Sequence, residues 1–106
     1  MDEQEYVNEV LRTYVGSDEV FDKLCLGALG LAGETGEVVD LVKKVLYQGH
    51  AVDVGRFEDE LGDVLWYLML VCSALGLSLE RVMVANVVKL RRRYPFGFDS
   101  ERSLDR

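Results

Sequence analysis

Two short acidic patterns stand out for their spacing. Glu34 and Glu37 lie three residues apart within "GLAGETGEVVDL", and Glu60 and Asp63 repeat that spacing within "FEDELGDVLWYL". On a helix, residues at i and i+3 share a face, so each pair points one way. A single such pair on a helix is ordinarily a solvated face. Two pairs, each among apolar residues and glycines, imply something more. Brought face to face, they form a partly buried cluster of four carboxylates. Such a cluster is unstable alone, because unpaired buried charge is costly and neighbouring carboxylates raise one another's pKa. A divalent cation relieves both problems. All-oxygen ligands without His or Cys favour Mg²⁺ or Mn²⁺ over Zn²⁺. Gly33, Gly36 and Gly62 beside the acids predict close helix approach there, or room for a ligand, since an interior helical glycine costs about 1 kcal/mol relative to alanine.

A third pattern is basic. Asn86, Lys89 and Arg93 fall at helical spacing and form one stripe. Arg suits bidentate phosphate contact and Lys acts as a point charge. Charge is unevenly distributed: residues 1–88 carry 6 Lys/Arg and 16 Asp/Glu, whereas residues 89–106 carry 6 and 3. The acidic body argues against duplex nucleic acid as a partner. A small basic cluster with a carboxylate group points instead to a metal and a phosphorylated small molecule.

The elements that must hold these residues read as helices. Tyr6, Val7, Val10, Leu11 and Tyr14 make an amphipathic stripe over about 3–15. A second helix covers about 19–47, capped by Ser17 or Asp18 and stopped by Gly49. Residues 48–55 read as a loop. A third helix runs from about 56 to 75 and ends at Gly76. Ser78 caps a fourth over about 79–94, which Pro95 stops, and the tail 96–106 reads as irregular. The expected architecture is all-α, a four-helix-bundle-type single domain over 1–106. Helices 2 and 3 are apolar on more than one face, which predicts a homodimer or a dimer of dimers (a homotetramer).

The remaining features set limits. With 106 residues and 49% hydrophobic content the chain can build a core. Cys25 and Cys72 read as two buried, reduced thiols. The acidic N-terminus lacks the pattern of a secretory signal. The nearly apolar run Leu65–Leu79 is shorter than the roughly 18–20 residues a membrane span needs. A cytoplasmic protein without membrane contact is expected. Trp66 reads as core, His50 as an exposed loop residue, and Lys43 and Lys44 as charges that suit a helix C-terminus or reach phosphate. Asp40 continues the Glu37 face. No Glu-x-x-His spacing exists for a ferritin-like di-iron site.

The segments "ALGLAGETGEVVDLVKK", "FEDELGDVLWYLM" and "LGLSLERVMVANVVKLRRRYPFGF" resemble the MazG-like nucleoside triphosphate pyrophosphohydrolases, within the all-α NTP pyrophosphatase superfamily. The resemblance covers about residues 22–98. Its mark is ExxE, a spacer, then ExxD, here Glu34–Glu37, 22 intervening residues, then Glu60–Asp63. It implies Mg²⁺-dependent cleavage of an NTP or dNTP between the α and β phosphates, giving NMP and pyrophosphate. Glu34, Glu37, Glu60 and Asp63 match the metal ligands. Asn86, Lys89 and Arg93 match positions that face the triphosphate, and Tyr67 matches an aromatic near the substrate. Lys44 joins them as a candidate phosphate contact. Glu37 is the candidate general base. The competing reading is a non-catalytic helical module that binds metal or nucleotide and serves dimerisation or regulation. An intact acid quartet with a basic stripe favours the enzyme.

Overall fold

The structure is a computed structural model and describes residues 1–105. Its described residues form five helices: α1 (Glu3–Thr13), α2 (Val20–Tyr47), α3 (Val54–Ala74), α4 (Leu79–Arg93) and α5 (Ser100–Leu104). The all-α expectation holds. Among the described residues no single helix is long and apolar enough to cross a membrane.

Local chemistry explains most of the boundaries. Asp2 caps α1 in a reciprocal box with Glu5, each side chain accepting the other residue's backbone N–H. Asp53 accepts the N–H of Arg56 and starts α3 two residues earlier than the periodicity predicts. Ser78 caps α4 as expected. Gly49 and Gly76 adopt φ of +70° and +68°, the left-handed conformation that ends α2 and follows α3. The tail departs from expectation. Asp99 accepts the N–H of Glu101 and caps the short α5, so residues 100–104 are helical rather than irregular. Residue 106 lies outside the described residues.

The chain divides into two compact units, Met1–Gly76 and Leu77–Arg106. In the first, α3 packs against both α2 and α1. Val10, Met69, Leu70 and Cys72 are its buried apolar side chains, and Gly27 is buried beside them. The tight seam is not where the acids are. A Cβ at Gly27 would press on Val71, and one at Gly30 would collide with the ring of Tyr67. Gly33, Gly36 and Gly62 face open space, so of the two expectations for them the close helix approach fails and the room for a ligand remains. Cys25 also departs from expectation: it is exposed, while Cys72 is buried, and both are free thiols. In the second unit, Tyr94 packs against Phe98, and Arg102 donates to the carbonyl of Arg93.

Candidate metal centre

The α2–α3 packing brings acids from both helices together. One carboxylate oxygen from each of Glu34, Glu60 and Asp63 lies within 4.8 Å of the other two. Glu34 and Glu60 are half-buried, and Asp63 is exposed. Burial raises the pKa of Glu34 from its usual value, helped by the hydrogen bond its protonated form donates to Glu60 and by the charges of Asp63, Glu60 and Glu37. Charge is therefore crowded at this point. Three oxygen donors that repel one another when ionised suit a hard divalent cation. Glu37 stands outside this close trio, exposed on α2 but near enough for its charge to act on Glu34.

The surroundings combine expected and unexpected residues. Glu34 and Asp63 line a cavity of about 350 Å³ with Thr13, Trp66 and Tyr67. Tyr67 was expected here. Thr13 and Trp66 were not, and Trp66 is half-exposed instead of core. Tyr6 of α1 is a further addition. Its hydroxyl makes a long contact of 3.5 Å to the carbonyl of Gly62, and its pKa is raised by burial and by the charge of Asp63. In sequence, Tyr6 and Thr13 read only as parts of an amphipathic helix.

The basic candidates divide. Lys44 is bound within α2, 2.8 Å from Asp40, while Lys43 lies 3.1 Å from the same carboxylate. Those hydrogen bonds, Lys44 first, hold the Asp40 pKa below its usual value. Lys44 also lines a separate cavity of about 330 Å³ with His50 and Arg56. In the second unit, Asn86 and Lys89 line one cavity of about 490 Å³. Arg93 does not line it; the half-buried residue ends α4.

A helical chain carrying acid pairs on two packed helices defines an all-α protein with a candidate metal centre. Comparison with known proteins then places it. Residues 27–98 match the MazG nucleotide pyrophosphohydrolase domain, and the chain belongs to that family. It is 34% identical over 86 residues to the Gene 37 protein of Mycobacterium phage L5, a span that covers 77% of this chain and 75% of the relative. No solved structure matches it.

Proposed function

We propose that this chain is a Mg²⁺-dependent nucleotide pyrophosphohydrolase, with Mn²⁺ able to substitute, which cleaves an NTP or dNTP between the α and β phosphates to NMP and pyrophosphate. The observation that carries this reading is the meeting of Glu34, Glu60 and Asp63 between α2 and α3, within a chain of the MazG family. These three side chains would hold the cation. A bound divalent cation supplies stabilisation for the negative charge that builds on the phosphates during cleavage.

The other roles fall to the chain's own residues. Glu37 is ionisable and exposed beside the trio, and accepts the proton of the attacking water. The water oxygen bonds to phosphorus as the bridging P–O bond breaks, and pyrophosphate leaves. The family resemblance assigns Asn86, Lys89 and Arg93 to the phosphate charge, and Lys44 would join them after exchanging Asp40 for phosphate. Tyr67 forms a wall of the substrate cavity.

The proposal includes assembly of two or four copies. Leu29, Val39, Leu46 and Leu61 are more than half exposed, an apolar surface that a second copy would cover. A cytoplasmic location is part of the same proposal, and two free thiols are compatible with it.

The test is pyrophosphate release from the canonical NTPs and dNTPs, with Mg²⁺ or EDTA, alongside Glu60→Gln. Metal-dependent pyrophosphate and NMP, absent in the variant, is the expected result. A folded protein that binds Mg²⁺ and releases nothing from any nucleotide would favour a binding module instead.

A further inference from the structure

Trp66 follows Asp63 by three residues, so the indole and the acid share the side of α3 that opens on the cavity. The indole N–H donates to the hydroxyl oxygen of Thr13 at 2.9 Å. The Thr13 hydroxyl in turn donates to the α1 backbone, with the carbonyl of Glu9 at 2.8 Å and that of Val10 at 3.2 Å. The ring is therefore fixed from α1, and it cannot swing without breaking a bond between two helices. Beside it, the ring of Tyr67 stands nearly perpendicular, at 77° with centroids 4.9 Å apart. Two aromatic planes at a right angle form a corner in which a flat ring can stack on one and meet the other with its edge. A tie between helices alone would explain the hydrogen bond. It does not explain why the tied ring lines a cavity that also contains Glu34 and Asp63.

Building on the pyrophosphohydrolase reading above, we propose that Trp66 is the surface on which the substrate's nucleobase stacks and that Thr13 is the positioning residue that holds it there. Both hydrogens of this pair are already spent, the indole N–H on Thr13 and the hydroxyl on the α1 backbone. What they offer a base is a stacking face and one remaining lone pair of the Thr13 oxygen. Stacking tolerates every base, because each has a π face. The pair thus discriminates weakly among bases and strongly between a nucleotide and a phosphate chain that has no base.

Trp66 is the chain's only tryptophan, so its emission reports on this ring alone. The full chain is titrated in Mg²⁺ with α,β-imido nucleoside triphosphates and with inorganic tripolyphosphate, following fluorescence and calorimetry together. Nucleotides are expected to change Trp66 emission saturably, and tripolyphosphate to bind without changing it. Thr13→Val should weaken nucleotide binding on the order of tenfold and Trp66→Ala tenfold to a hundredfold. Thr13→Ser should restore it, and tripolyphosphate binding should be unchanged in all three. Calorimetric binding of nucleotide with a silent Trp66, or equal losses for both ligands, overturns the stacking role and leaves the enzyme reading intact. Absence of nucleotide binding by the wild-type chain overturns both. If Thr13→Val fails to fold, Trp66→Phe decides, because a smaller ring without the bond to Thr13 should retain only part of the nucleotide affinity, and unchanged affinity rejects the proposal.

Discussion

The ring of Tyr67 lies directly against the backbone of α2 at Gly30, where a methyl group would collide with the ring. This contact sets the spacing of α2 and α3 one turn before Glu34. The seam is therefore closed by an aromatic side chain on a glycine, and the acids lie just beyond it, where the glycines face open space.

Gly30→Ala and Gly33→Ala should move stability in opposite directions. Alanine gains about 1 kcal/mol over glycine within a helix. At Gly30 the added carbon meets the packed Tyr67 ring, and overpacking of that kind costs about 1–3 kcal/mol, so net destabilisation is expected. At Gly33 nothing lies within 4 Å, and the helix gain should appear in full. Urea midpoints of the two variants, compared with wild type, check both signs.

Glu34 should weaken the metal-free fold at neutral pH. Its folded pKa lies above the unfolded value, because of burial, the Glu60 hydrogen bond and nearby negative charge. The folded chain thus binds this proton more tightly than the unfolded chain does. Stability falls as pH rises from the unfolded pKa through the raised folded one, and the loss is complete above it. Glu34→Gln should raise the melting temperature of the metal-free protein at pH 7 and flatten this pH dependence. The same variant should lose stabilisation by Mg²⁺. Thermal melts at several pH values, with Mg²⁺ and with EDTA, measure all three effects.

Asp40, farther along the same helix, should behave oppositely. Lys44 and Lys43 depress its pKa, so its contribution is present above the unfolded carboxylate value and is lost as pH falls through the folded one. Asp40→Asn should remove this acid-side loss with only a small change in melting temperature at pH 7, as expected of a pair that solvent still reaches. If Lys44 exchanges Asp40 for phosphate, the same variant should lower KM while leaving kcat near wild type. Melts from pH 2 to 7 and steady-state kinetics at pH 7 separate the two effects.

Helix periodicity, the caps at Ser78 and the stops at Gly49 and Gly76 were legible in the sequence because they depend on neighbours a few residues away. The pairing of Glu34 with Glu60 and Asp63 was legible because its spacing repeats. Features set by packing were not. Cys25 and Gly33 lie on a helix with more than one apolar face, and sequence does not say which face meets α3. The same ambiguity hid Gly27 and Gly30 as the seam. Trp66 has a core residue's composition, and only the placement of α1 brings Thr13 to its indole N–H. Tyr6 meets the carbonyl of Gly62 across 56 positions, a relation no local pattern encodes. The helix over 100–104 is too short for periodicity to show, and its signal was the cap at Asp99.

Glu37 and Asp63 should separate proton transfer from metal binding. Asp63 contributes an oxygen to the close trio, whereas Glu37 stands outside it. Asp63→Asn removes a charged donor from the cation's shell, so Mn²⁺ affinity and activity should fall together. Glu37→Gln leaves the trio intact. Calorimetry should still detect Mn²⁺ binding, while kcat falls by about 10²- to 10⁴-fold, the range for loss of a positioned general base. Loss of Mn²⁺ binding in Glu37→Gln, equal to that in Asp63→Asn, would instead make Glu37 a fourth ligand and leave the general base to another group.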